Sequence, residues 1–136
     1  MKKLKTEKQL KATLDKLFSE YIRRKHADKN GVVRCVTCNK IDDWREFDAG
    51  HYQSRVYLRT RYDERNVFPQ CRADNRFHEG KKDDFALFLI RKFGQDILEE
   101  LNKEKNKVYW NFPYEAKIEE YNAKLKALQQ ALSRPR

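Results

Sequence analysis

The N-terminal part of the chain has apolar residues at intervals of three and four positions. They are Leu10, Leu14, Leu17, Phe18, Tyr21 and Ile22. Because residues three and four apart lie on one face of a helix, this pattern predicts an amphipathic helix over residues 6–27. Thr6 and Gln9 fit a capping box, in which each side chain accepts a hydrogen bond from the other residue's backbone N–H. The predicted helix therefore begins next to Thr6.

The second half of the chain shows the same spacing in three further stretches. The first of these stretches predicts a helix over residues 82–93 that is ended by Gly94. The second stretch predicts one or two further helical turns. Their apolar positions are Phe85, Phe88, Leu89 and Phe93, and then Ile97, Leu98 and Leu101. A last helix is expected over residues 114–132, with the stripe Ile118, Tyr121, Leu125, Leu128 and Leu132. Two interpretations of this stripe stay open: packing on the N-terminal helix, or a homodimer formed through the C-terminal helix.

The middle of the chain lacks helical spacing, and we expect residues 39–75 to be irregular with short strands. Val32–Arg34 predicts a strand after the Asn30-Gly31 turn, and residues 44–48 and 67–68 are further strand candidates. Turns are expected near Asp42-Asp43 and Asp63-Glu64. The pattern predicts one α+β domain over 1–136, mainly helical. It has a basic N-terminal helix (1–30), a small core (31–80) and C-terminal helices (81–136).

The charge balance points to a polyanionic partner. The chain carries 31 lysine and arginine residues against 21 aspartate and glutamate residues, a net charge of +10. Nucleic acid is the usual partner for an excess of this size. No apolar run approaches the roughly 20 residues that span a bilayer, and the basic start lacks the apolar segment of a signal peptide. We therefore expect a cytoplasmic protein that binds DNA and no membrane.

Three cysteines suggest a metal site. Cys35 and Cys38 form a Cys-x-x-Cys pair, whose turn lets both sulfurs bind one zinc ion. Cys71 follows, and Asp74 stands where a second pair would end. Three interpretations stay open: Asp74 is the fourth ligand, His78 is the fourth ligand, or the cysteines are reduced and hold no metal. A structural zinc ion would stabilise a segment too polar to fold around its own core.

Between and after these cysteines come residues suited to phosphodiester hydrolysis. His51 could deprotonate a water near neutral pH, and Asn66 could hold its ring in the required tautomer. A divalent ion that stabilises charge on the phosphate prefers hard ligands, such as Asp48 and the side chain of Asn75 or His78. This order of residues, interleaved with zinc ligands, is typical of a zinc-supported ββα-metal (HNH-like) nuclease core. We therefore take His51, Asn66 and Asn75 as candidate catalytic residues.

Residues from about 35 to 130 resemble the NinG (Rap) recombination endonuclease family of lambdoid phages. The similar stretches are Asp48-Ala49-Gly50-His51-Tyr52, Arg61-Tyr62-Asp63-Glu64-Arg65-Asn66, Gln70-Cys71 followed by Asn75, and Phe93-Gly94-Gln95. The resemblance implies an HNH-type DNA endonuclease that is selective for branched recombination intermediates, such as Holliday junctions and D-loops. It also implies magnesium or manganese as the catalytic ion, and the cytoplasm of the host cell as the location.

The chain departs from the family pattern at Asp74, which replaces the second cysteine of the second pair. It departs from standard HNH motifs at Gly50, which precedes His51 where those motifs have an acidic residue or a histidine. Asn75 occupies the third motif position, as in HNN variants, although His78 lies one helical turn further on. We expect basic residues around the core to bind DNA, namely Arg55, Arg59, Arg61, Arg65, Arg72, Arg76, Lys81 and Lys82. The alternative to a nuclease is a non-catalytic zinc-knuckle DNA-binding protein.

Overall fold

The computed structural model describes residues 4–133, so the basic start before Leu4 and the tail after Ser133 lie outside it. Within this range the chain forms six α-helices and four short strands, which confirms the α+β class. The helices are α1 (Glu7–Lys25), α2 (Leu58–Arg61), α3 (Arg72–Phe77), α4 (Lys82–Phe93), α5 (Ile97–Lys105) and α6 (Tyr114–Ser133). The strands are β1 (Val32–Arg34), β2 (Ile41–Asp43), β3 (Phe47–His51) and β4 (Val67–Cys71). In the described range no helix is long and apolar enough to cross a membrane.

Helix α1 begins as the sequence predicts. The Thr6 hydroxyl accepts a hydrogen bond from the Gln9 backbone N–H at 3.2 Å, and the Gln9 side chain accepts one from the Thr6 N–H at 2.9 Å. These two bonds satisfy donors that the first turn of a helix otherwise leaves unpaired. The helix is then held by its apolar face, where Leu14, Phe18 and Ile22 are buried.

Helix α6 packs along α1, which confirms the first interpretation of its apolar stripe for the buried positions. The Phe18 ring lies edge-on to the rings of Tyr62 and Tyr121, with centroids 5.5 and 5.1 Å away. Tyr114 and Tyr121 are buried in the same cluster, and Ile118 packs against it. Leu132, at the far end of the stripe, is 59% exposed. The homodimer stays a prediction.

The four strands form two antiparallel pairs, β1 with β2 and β3 with β4. In the second pair Asp48 lies opposite Gln70, and His51 lies opposite Val67. Helix α3 follows β4 without a connecting loop. The unit β3–β4–α3 is therefore a strand, a strand and a helix in the order of the chain, and it carries Asp48, His51, Cys71, Asp74 and Asn75.

Several sequence-based assignments in the middle of the chain are wrong. Residues 44–48 are not one strand, because Trp44–Glu46 form a 3-10 turn capped by the Asp43 side chain, and β3 begins only at Phe47. Asp42 and Asp43 belong to β2 rather than to a turn. The stretch 39–75 also contains the helices α2 and α3, which its lack of apolar spacing did not predict.

The Gln70 side chain crosses the backbone at position 50, which explains why a glycine is needed there. A Cβ atom at this position would lie 2.2 Å from Gln70 Oε1 and 2.8 Å from Gln70 Cβ, so any larger residue would clash. The Gln70 side chain is fully buried, and its Nε2 donates to the Gly80 carbonyl at 2.8 Å and to the Thr37 hydroxyl at 3.1 Å. The glycine before His51 thus lets Gln70 join the cysteine-containing turn to the α3–α4 connection.

Glu64 ties the segment before β4 to both long helices. Its carboxylate accepts hydrogen bonds from Lys25 of α1 at 2.9 Å, and from Tyr121 and Lys124 of α6 at 3.0 and 2.8 Å. Burial opposes ionisation, but these donors outweigh it and lower the pKa of Glu64 to about 2. The ionised carboxylate therefore stabilises the fold.

Replacing Glu64 with glutamine should destabilise the protein at neutral pH by about 1–2 kcal/mol, since water screens the half-exposed lysines. A depressed pKa gives stability that is present above the unfolded value, near 4.5, and that is lost as the pH falls towards 2. Urea unfolding should thus separate wild type from Glu64→Gln at pH 7 and bring them together at the acidic end. Glu119→Gln, at an exposed position of α6, is the control. Equal stability of Glu64→Gln and wild type at pH 7 would contradict this role.

Candidate metal centre and active-site cleft

Cys35, Cys38, Cys71 and Asp74 meet at one point of the structure. One ligand atom from each lies within 4.8 Å of the others, so the group could hold a metal ion. The Sγ atoms of Cys38 and Cys71 are 3.6 Å apart, and Cys35 Sγ is 3.9 Å from Asp74 Oδ2. Cys38 is exposed, whereas the other three residues are buried. Three thiols and one carboxylate suit tetrahedral zinc, so the group is compatible with a structural zinc site.

The local fold brings these ligands together from two segments. Cys35 directly follows β1, and Cys71 ends β4 and caps α3, where its sulfur accepts a hydrogen bond from the Asp74 N–H at 3.4 Å. Asp74 therefore lies in the first turn of α3, one turn from Cys71. The Thr37 hydroxyl donates to Asp74 Oδ2 at 2.8 Å and fixes the carboxylate. This places Asp74 rather than His78 in the group.

The contacts of Cys35 and Asp74 favour their ionised forms, whereas burial raises the pKa of the Cys38 and Cys71 thiols. Burial would raise the pKa of the Cys35 thiol, but hydrogen bonds from the Cys71 N–H, at 3.2 Å, and from Thr37 lower it. Burial likewise opposes ionisation of Asp74, and its hydrogen bond from Thr37 outweighs that effect and lowers its pKa. Thiolates and carboxylates are the metal-binding forms of these groups.

A cleft of about 390 Å³ opens between the β3–β4–α3 unit and α1. Asp48 and His51 of β3 and Asn75 of α3 all line it. The sequence-based interpretation groups these three residues by their order alone. The structure brings them to one cavity, and it places His78 in a neighbouring cleft with Lys81 and Lys82.

His51 is held as a neutral imidazole. Its Nε2 lies 2.9 Å from the Arg61 carbonyl oxygen, and because a carbonyl only accepts, Nε2 carries the proton. Nδ1 is then the unprotonated nitrogen. Burial lowers the pKa of His51 to about 4, and the positive charges of Arg55, Arg61 and Lys82 lower it in the same direction. The ring is therefore neutral at pH 7, with Nδ1 as its unprotonated nitrogen.

Asp48 is paired with two residues of α3. The Asn75 side-chain nitrogen donates to Asp48 Oδ2 at 2.9 Å, and Arg76 donates to both carboxylate oxygens at 2.8 and 2.9 Å. Burial opposes ionisation of Asp48, but these donors outweigh it and lower its pKa. Asn75 turns its nitrogen towards Asp48, which leaves its oxygen to face a cation. The two residues together offer hard oxygen donors.

Asn66 does not contact the His51 imidazole, although the sequence suggests that it holds this ring directly. It is fully buried, and its amide nitrogen donates to the carbonyls of Thr60 and Gln53 while its oxygen accepts from the Gln53 N–H at 2.7 Å. The imidazole of His51 is instead held by the Arg61 carbonyl. Asn66 therefore fixes the β3–β4 connection, and with it α2 and the carbonyl of Arg61.

The predicted DNA-binding residues divide into three groups. Arg55, Arg61, Arg72 and Arg76 line the cleft with His51. Arg59 and Arg65 instead pair with Glu104 and Glu100 of α5. Lys81 and Lys82 line the neighbouring cleft, although the Lys82 ammonium also donates to the backbone carbonyl of His51.

The sequence-based interpretation misses the contribution of α1 to this cleft. Asp15, Ser19 and Arg23 line it, and they are spaced by four residues beside the apolar stripe of α1. Asp15 accepts hydrogen bonds from Arg61 at 2.9 and 2.5 Å and from the Tyr62 hydroxyl at 2.6 Å. Hydrogen bonds from Arg61 and Tyr62 outweigh the effect of burial and lower the pKa of Asp15. The sequence signal for this contribution is the four-residue spacing of Asp15, Ser19 and Arg23, which form a polar stripe on α1.

The chain belongs to the NinG family. The family described as "NinG: Bacteriophage Lambda NinG protein" matches residues 1–131. The chain is 29% identical over 115 residues to Protein ninG of Escherichia phage 933W and of Escherichia phage lambda, and 28% identical to that of Salmonella phage P22. These alignments cover 83% of this chain and 54–55% of the relatives, so the chain spans about half the length of the curated relatives it matches. No solved structure matches.

We expect Asp74→Ala to lower zinc affinity by roughly ten-fold or more, because it removes one of four ligands. Asp74→Cys should retain zinc, since a fourth thiolate completes a common structural site. Zinc content after dialysis against a graded chelator, measured by mass spectrometry, checks both. Asp83→Ala, an exposed change on α4, is the control. Equal zinc retention by Asp74→Ala and wild type would remove Asp74 from the site.

Proposed function

We propose that the protein is a metal-dependent DNA endonuclease of the HNH type that acts on branched recombination intermediates. The observation that carries the proposal is the arrangement of His51, Asp48 and Asn75. These residues lie on a strand–strand–helix unit, share one arginine-lined cleft, and lie next to a Cys₃Asp group. Family membership supports the proposal, and the selectivity for branched DNA rests on the resemblance to the recombination endonucleases.

His51 would act as the general base. Its Nδ1 takes a proton from a water molecule, the water oxygen attacks the phosphorus, and the bond from phosphorus to the leaving sugar oxygen breaks. The low pKa of His51 keeps the imidazole neutral at physiological pH, so that Nδ1 is free to accept the proton. The Arg61 carbonyl holds the Nε2–H and so sets which nitrogen faces the cleft.

Asp48 and the side-chain oxygen of Asn75 would hold a divalent ion, with magnesium and manganese as the expected ions. When bound, such an ion offsets the negative charge that develops on the phosphate and the leaving oxygen. Arg76 is paired with Asp48. A phosphate that binds Arg76 would free the carboxylate to hold the ion.

The five arginines of the cleft would bind the DNA backbone. Two of them, Arg55 and Arg61, are paired with Asp15, and Arg76 is paired with Asp48. Of the remaining two, Arg72 is paired with Glu46, and Arg23 donates to the backbone carbonyls of Ser19 and Phe47. Contacts of guanidinium groups with phosphates are strong but carry no base sequence information, so the geometry favours recognition of DNA shape over sequence.

The test is cleavage of a labelled four-way junction beside a matched linear duplex, using zinc-loaded protein with magnesium, with manganese, or with neither. Wild type should cut the junction in preference to the duplex only when an ion is added. His51→Ala should retain DNA binding and lose about 100- to 10,000-fold in cleavage rate, the usual contribution of a general base. His78→Ala is the matched control, because its ring lies in the neighbouring cleft.

Two results would contradict the proposal. Full cleavage by His51→Ala would remove the assigned base. Binding by wild type without cleavage in either ion would favour the alternative, a non-catalytic DNA-binding protein built on the same zinc site.

A further inference from the structure

Trp110 is the most exposed large apolar side chain in the described part of the chain. It lies in the connection between α5 and α6, and 97% of its surface is accessible. Val108, two residues earlier, is 75% exposed. An exposed tryptophan gives up the stabilisation that burial of its side chain would provide. The exposure of Trp110 therefore suggests that it contacts a binding partner.

The other aromatic residues of this connection are packed and hold it in place. The Arg59 guanidinium lies over the Tyr109 ring at 4.2 Å, and the Tyr109 and Phe112 rings are 4.9 Å apart. Phe112 also contacts Tyr62, with ring centroids 5.5 Å apart. Trp110 is therefore carried on a fixed support, and its outward position follows from the packing of its neighbours.

Trp110 borders a second cleft of about 560 Å³, which lies close to the arginine-lined one. Leu10 lines this second cleft and Asp15 lines the first. Five residues separate them on α1, which corresponds to about 8 Å along the helix axis. Tyr62 connects the two sites directly, since its ring touches Phe112 and its hydroxyl binds Asp15. A DNA strand seated on the arginines would thus pass within reach of Trp110.

The charges around Trp110 fit a nucleotide better than an apolar protein surface. Lys103 and Lys107 precede it and are paired at the surface with Glu99 and Glu104, while Lys105 lies over the Tyr57 ring. Surface pairs of this kind are weak, so a phosphate could replace the carboxylates. The cleft itself has two carboxylates, Glu7 and Glu115. These repel phosphate but accept hydrogen bonds from the exocyclic amines of bases. The cations and carboxylates are thus placed for a backbone outside the cleft and a base inside it.

We propose that Trp110 stacks on an unpaired base of DNA, next to the site where the strand is cut. This inference rests on the proposed function, and it concerns those branched substrates that contain unpaired bases, such as D-loops. Bases in an intact duplex have both faces covered by their neighbours, whereas an unpaired base has a face free to stack on an aromatic side chain. The contact would therefore favour DNA with unpaired bases over intact duplex.

Binding to two short duplexes tests this proposal, one fully paired and one carrying a single bulged base. The protein is zinc-loaded His51→Ala without added magnesium or manganese, so that cleavage does not enter. It should bind the bulged duplex roughly ten-fold more tightly, and Trp110→Ala should abolish that preference without weakening binding to the paired duplex. Trp110→Phe should retain most of the preference. Val108→Ala is the matched control, and unchanged melting temperatures show that the variants are folded.

Fluorescence supplies an independent measurement. In a Trp44→Phe background Trp110 is the sole tryptophan, and its emission should be quenched by the bulged duplex and not by the paired one. A bulge preference that survives Trp110→Ala would overturn the proposal. Emission that responds to protein concentration and not to DNA would also overturn it, in favour of a contact between copies of the chain. Failure of the nuclease assay with the bulge preference intact would locate the error in the catalytic assignment instead.

Discussion

The convergence of Cys35 and Cys38 with Cys71 and Asp74 is the contact on which the remainder of the site depends. These residues join the turn after β1 to the junction of β4 and α3. Asn75 and Arg76 follow Asp74 directly in α3, so the orientation of this short helix determines where their side chains lie. A metal ion bound by the four ligands would fix the first turn of α3 to the turn after β1, and α3 brings Asn75 and Arg76 to Asp48 of β3. The role of that ion would be structural.

A second constraint is electrostatic. Five arginines line the cleft. Asp15 and Asp48 are ionised there because each accepts hydrogen bonds from guanidinium groups. Burial is the main reason why a charged His51 is disfavoured, and the positive charges of Arg55, Arg61 and Lys82 act in the same direction. The arginines that would bind phosphate in the proposed function therefore also help to keep this histidine neutral.

The sequence predicts the long helices well, because their apolar faces recur with helical spacing. It misses β2, α2 and α3, which are short and are stabilised by contacts from other segments, such as the Asp48 carboxylate that pairs with Asn75 and Arg76 of α3. Asp48, His51 and Asn75 could be grouped from their order along the chain. Two parts of the site could not: the Arg61 carbonyl, because a peptide group has no sequence signature, and Asp15, because 46 residues separate it from Arg61.

The fold holds His51 as a neutral imidazole whose Nδ1 is unprotonated. Nitrogen NMR of the imidazole can test this, recorded on zinc-loaded protein between pH 7.5 and about pH 5.5 and assigned with a His51 variant. We expect a ring protonated at Nε2 alone, with shifts that stay constant over this range because the pKa is about 4. A ring that carries its proton on Nδ1, or that titrates near the ordinary histidine value of about 6.5, would contradict it.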